Sequence, residues 1–139
     1  MAKPSTDSSA DYKLSDSLGA DAVGEVFRAI DKRTDSDVAV KQFASWTHAD
    51  PEALERYSDY LKALKAAPVD GVPMIVGFRA ENDAIEVATE LIDEATNLAA
   101  YISDNGPLSV EDALEVCSGV LDALSGLHES DLIHGGITP

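Results

Sequence analysis

The chain has 139 residues, 45% of them hydrophobic, and 26 acidic against 10 basic side chains give a formal net charge of −16. That length supports one domain with a real core, and the charge leaves no basic patch to neutralise phosphates, which argues against direct nucleic-acid binding. No run of about 18 apolar residues could cross a bilayer, and a lone cysteine, Cys117, rules out an internal disulfide framework and any multi-cysteine metal site.

Residues 1–11, MAKPSTDSSAD, lack the apolar stretch of a secretory signal and read as a disordered polar tail, so a cytoplasmic location is expected. The acidic excess is spread along the chain instead of being gathered in a tail. Such a composition resembles that of extreme halophiles: dense surface carboxylates hold water in concentrated salt, where the Debye length falls to about 3 Å and self-repulsion is muted.

From Tyr12 the pattern is strand-like. "YKLSDSLG" ends in glycine, "AVGEVFRAI" alternates, "DKRTDSD" supplies a turn, and "VAVKQF" is a further apolar strand. "ADPEALERYSDYLKALKAA" then offers Asp50 as an N-cap and Pro51 at the first helical position. Leu54, Tyr57, Leu61 and Leu64 recur at spacings of three and four, which predicts a helix with one apolar face.

After "PVDGVP" come two strands, "MIVGFRA" and "AIEVATELI", joined by the turn residues "END". "DEATNLAAYISDNGP" predicts a connector and a short helix stopped by Asn105, Gly106 and Pro107. A long helix follows, opened by Ser109 with Asp112 three residues on. Its apolar stripe is Val110, Leu114, Cys117, Leu121 and Leu124, which predicts Cys117 as a small buried hydrophobe. The expected fold is α+β: a five-stranded antiparallel sheet with one helix over 12–92, then a short and a long helix over 93–139.

Four stretches in this order resemble the small lobe of a eukaryotic-type serine/threonine protein kinase and the start of its large lobe. "LGADAVGEV" keeps Gly19, Gly24 and Val26 of the family's GxGxxGxV but has Asp21 at the middle glycine. "VAVK" ends in Lys41. "IEVATELI" is similar to the strand entering the hinge, with Thr89 at the gatekeeper position and Glu90 to Ile92 beginning the hinge. "LSGLHESDLIHGGITP" is similar to the family's L-x-x-L-H followed by I-H-R-D-x-K-P, with His128 six residues before His134.

The resemblance implies a candidate ATP site formed by Leu18, Gly19, Gly24, Val26, Ala39, Lys41, Thr89, Glu90 and Ile92. In it Lys41 would hold phosphates and pair with an acid on the following helix, Asp59 first and Glu55 second. Asp21 would bring a negative charge toward the phosphates and is open to two readings of equal weight: a working nucleotide loop, or a plain β-turn where Asp21 is tolerated because nothing binds. His134 takes a packing position in the catalytic loop, ahead of any role for His134 or His128 as a substitute base beside Asp131. Gly135 and Gly136 stand where the family has Arg and the base Asp, and Thr138 stands where it has Lys. No catalytic residue is left, and this chain supports no magnesium site.

Three functions are compatible with these residues: a regulatory or interaction module with residual ATP binding, a divergent kinase completed by a partner chain, and a decayed fragment. The 110–128 helix carries leucines whose exposure would forfeit about 1.5 to 3 kcal/mol each. It is therefore expected to self-associate or meet a protein partner.

Overall fold

In the computed structural model, residues 11–44, 50–81 and 84–139 are described. The polar tail read over 1–11 lies almost wholly outside them, as do Asn82 and Asp83 of the expected turn. Five strands form one antiparallel sheet: β1 (Tyr12–Ala20), β2 (Gly24–Asp31), β3 (Ser36–Phe43), β4 (Ile75–Glu81) and β5 (Ala84–Glu90). Their spatial order is β1-β2-β3-β5-β4, so β5 passes β4 to pair with β3. The helices are α1 (Pro51–Ala66), α2 (Leu98–Asn105) and α3 (Val110–Glu129).

Alternation sorts the strand residues onto two faces. Ile75, Ile85 and Val87 face α1, where Leu54, Leu61 and Leu64 meet them in one buried cluster that also takes in Leu127 and Leu132. The opposite face buries Tyr12, Ala29, Val38, Val40 and Ala88. Here the sheet curls until its two edges approach: a Cβ on Gly77 of β4 would lie 2.5 Å from the Tyr12 hydroxyl of β1, so glycine permits the closure. Glu86, buried on this face, is satisfied by Arg79 at 3.3 Å and by the Gln42 amide at 2.7 Å.

Helix starts follow the chemistry expected of them. The Asp50 side chain accepts from the Glu52 amide and Pro51 opens α1. Asn97 caps α2, which Gly106 ends at φ 87°. Ser109 Oγ accepts from Asp112 N at 3.1 Å, an N-cap, and donates to the Asp112 carboxylate at 2.7 Å. The loop after α1 lies against α3, where Gly126 leaves room for Val69 and Gly71 faces Ala123. Beyond α3, the Leu132 amide bonds the Leu127 carbonyl and Leu132 returns to the core.

The apolar stripe of helix α3, expected to need a partner to cover it, is largely exposed in this chain. Only Leu127 is buried in it, while Val110, Leu114 and Leu121 are 71%, 66% and 65% exposed. Cys117, expected inside, is exposed as well. The loop after α1 meets the C-terminal part of the helix, at Ala123 and Gly126, and the apolar stripe toward its start stays exposed.

Candidate functional site

The β1–β2 hairpin sets the site's upper edge. Gly19 pairs with Val26 where Leu18 would be expected, so Leu18 is an extra residue in the ladder. Gly24 sits against the next strand: an added Cβ would collide with the Gln42 carbonyl and come 3.0 Å from Phe43 Cα. Across the sheet Val26 stands opposite Lys41, and Ala39 opposite Thr89. The register thereby brings Val26, Ala39, Lys41 and Thr89 onto adjoining rungs of three strands. Leu18 and Ile92 remain about half exposed, at 51% and 55%.

Asp21 closes the turn between β1 and β2. Its Oδ1 accepts from the amides of Val23 and Gly24, both at 2.9 Å, and its own amide donates to the Gly24 carbonyl at 2.9 Å. Its Oδ2 accepts from Lys41 Nζ at 2.8 Å. Asp21 thus closes the turn, and the same carboxylate also reaches the lysine.

This corrects the partner expected for Lys41. Asp59 instead pairs with Lys62 at 2.8 Å, and Glu55 is exposed. The cause is helix phase: turning Leu54, Leu61 and Leu64 into the core carries Asp59 to the outside. Tyr57 takes the inward place, edge-on to Phe43 with ring centroids 5.6 Å apart and stacked with Tyr60 at 6.3 Å. Burial pushes the Tyr57 hydroxyl up to about 12. Lys41 Nζ lies 5.2 Å from the Phe43 ring centroid, within cation–π range.

The hinge segment is held by polar contacts that sequence reasoning missed. Glu90 Oε1 accepts from the Met74 amide at 2.9 Å, while the Glu90 amide donates to the Met74 carbonyl at 3.0 Å. Arg28 of β2 donates to Asp93 at 2.8 Å, tying the sheet to the residues after Ile92. An arginine in a strand and an aspartate 65 positions later carry no local signal that joins them.

At the far end, His134 lines an apolar groove of about 390 Å³ with Leu127, Ala123 and Ile137. Its Nδ1 accepts from the Gly136 amide at 3.2 Å. Gly135 adopts φ 70°, a left-handed conformation suited to glycine. Gly136 and Thr138 are exposed. Asp131 makes no ion pair with His128 or His134 among the described residues. No three His, Cys, Asp or Glu side chains among the described residues are grouped to hold a metal ion.

Known proteins share this arrangement. The family model for the protein kinase domain matches residues 12–139. The chain is 24% identical over 128 residues to the serine/threonine-protein kinase PrkC of Bacillus subtilis, covering 92% of this chain and 20% of that protein. It is 29% identical over 134 residues to PknB of Mycobacterium leprae, covering 92% of this chain and 21% of the relative. It superimposes on the crystal structure of the PknI kinase domain of Mycobacterium tuberculosis with a TM-score of 0.85 at 22% identity, over 100% of this chain and 57% of that one. It thus spans about a fifth of the length of these two relatives. Since that family model matches nearly the whole chain, residues 12–139, the chain belongs to the protein kinase domain family.

Proposed function

We propose that this chain is a protein-kinase-family module that does not transfer phosphate, acts through contact with a protein partner and keeps a residual capacity for ATP. One observation carries the reading: Gly136, at the place of the family's base, has no side chain, and its backbone amide is bonded to His134. Phosphoryl transfer depends on positioning and on charges around the phosphoryl group. A glycine cannot orient a nucleophile, and the neutral Thr138 cannot replace a cation. The lone pair of His134 Nδ1 is engaged by the Gly136 amide, which favours a packing role for His134 over that of a substitute base.

The nucleotide part is supported by the rungs that align Val26, Ala39, Lys41 and Thr89. ATP, when bound, would supply a flat base and a polyphosphate chain; the first would lie among Leu18, Val26, Ala39 and Thr89, and the second would need Lys41. The partner part is supported by the uncovered leucines of α3. The same face favours a second reading, a divergent kinase completed by another chain that supplies the magnesium ligands. We infer a salt-adapted setting from the net charge of −16; no helix among the described residues is long and apolar enough to cross a membrane.

Thermal melts in molar salt with and without MgATP test the nucleotide part. Ligand at 100 times its dissociation constant adds about 2.7 kcal/mol to stability, and Lys41→Ala should reduce the shift. No shift at millimolar ATP, in the wild type or with Asp21 neutralised, would remove the nucleotide and leave a protein-contact domain.

A further inference from the structure

We propose that Asp21 is a tethered anion that occupies the phosphate position on Lys41, so that a di- or triphosphate ligand must displace it to bind. The proposal rests on reading residues 18–41 as nucleotide-facing and names what controls access to that site.

Three donors converge on this one carboxylate. The amides of Val23 and Gly24 reach Oδ1, and Lys41 Nζ reaches Oδ2, all at 2.8 to 2.9 Å. Backbone amides of a tight turn together with a lysine ammonium form a ready-made anion receptor. Here the receptor is filled from within the chain. Among the described residues no other acid is paired with the lysine: Asp59 pairs with Lys62, and Glu55 is exposed on α1. The Phe43 ring beneath Lys41 restricts the ammonium on one side and leaves the hairpin side to Asp21.

Displacement is feasible because the pair is not sealed. The Asp21 side chain is 57% exposed and that of Lys41 26% exposed, and exposed ion pairs are weak. A polyphosphate brings more charge and more acceptor oxygens to the same donors. It also meets repulsion from Asp21, which the hairpin keeps close even when it is displaced. Wild-type affinity is therefore low, and neutralising Asp21 raises it twice over, by freeing the receptor and by removing the repulsion.

Asp21→Asn isolates the charge, because an amide oxygen still accepts from Val23 and Gly24 and preserves the turn. Asp21→Ser provides a second neutral variant. Titration calorimetry with inorganic tripolyphosphate, and with ATP with and without magnesium, should show at least tenfold tighter binding by Asp21→Asn than by wild type. Lys41→Ala should abolish the gain. A ligand-free reading accompanies it: acylation of the Lys41 amine by a water-soluble active ester, followed by mass spectrometry, should be several-fold faster in both neutral variants.

Equal affinity in wild type and Asp21→Asn would overturn the gate and leave the nucleotide site standing. Equal acylation rates in wild type and both variants would overturn it as well. Absence of binding by every form, with folded variants, would overturn both the gate and the nucleotide site.

Discussion

The Asp21 carboxyl is held below its ordinary value of 3.8, first by the hydrogen bond from Lys41 and next by that from the Val23 amide. A carboxyl depressed on folding contributes stability above its unfolded value, and that contribution is lost as pH falls through the folded value. Carbon-detected titration should accordingly find Asp21 ionised at pH values where ordinary exposed aspartates have protonated, and Lys41→Ala should move it upward. An unchanged titration in that variant would mean that the pair does not persist in solution. The sequence made Asp21 conspicuous, because it stands in a glycine's place, but it gave no sign that the carboxylate would take the lysine. That outcome needed the hairpin register, which sets Val26 opposite Lys41 and swings the turn over it. Asp59 was misleading for a related reason, since its spacing from Lys41 fits a pairing that the helix phase forbids.

Helices α1 and α3 have similar apolar spacing and opposite fates. Leu61 of α1 is 2% exposed, whereas Leu121 of α3 is 65% exposed. Removing a buried leucine loses both its transfer energy and the packing around the cavity, so Leu61→Ala should cost about 2 to 5 kcal/mol. Leu121→Ala should stay within about 0.5 kcal/mol of wild type in the isolated chain. Denaturant unfolding of both variants checks this; a large loss at Leu121 would show that the face is covered in solution by a second copy. Caps and helix limits were legible because they depend on neighbours in sequence: Asp50 with Pro51, and Ser109 with Asp112. The bareness of the α3 stripe was legible as a face in need of a partner, but a periodic stripe does not say what lies against it. Cys117 went astray with that stripe.

Across the whole molecule, the sheet and its helices were legible along the chain, since each strand carries its own alternation and turn residues and each helix its own apolar spacing. Closure of the sheet, with Gly77 admitting the Tyr12 hydroxyl, and the Arg28–Asp93 tie join distant positions and left no local pattern. The net charge of −16 also acts at this scale. Added salt screens self-repulsion across the surface. The exposed pairs it weakens, such as Lys62–Asp59 and Arg56–Glu52, are worth little each. The melting temperature should therefore climb between 0.1 and 2 M potassium chloride, and a flat or falling dependence would remove the reading of salt adaptation.

The most direct test of the account is transfer from γ-labelled ATP with magnesium in molar salt, using this chain, its Asp21→Asn form and its Lys41→Ala form. The account predicts no labelled protein or peptide above the Lys41→Ala background, even for Asp21→Asn under conditions where it binds ATP. Transfer by the chain alone, lost on Lys41→Ala, would contradict it.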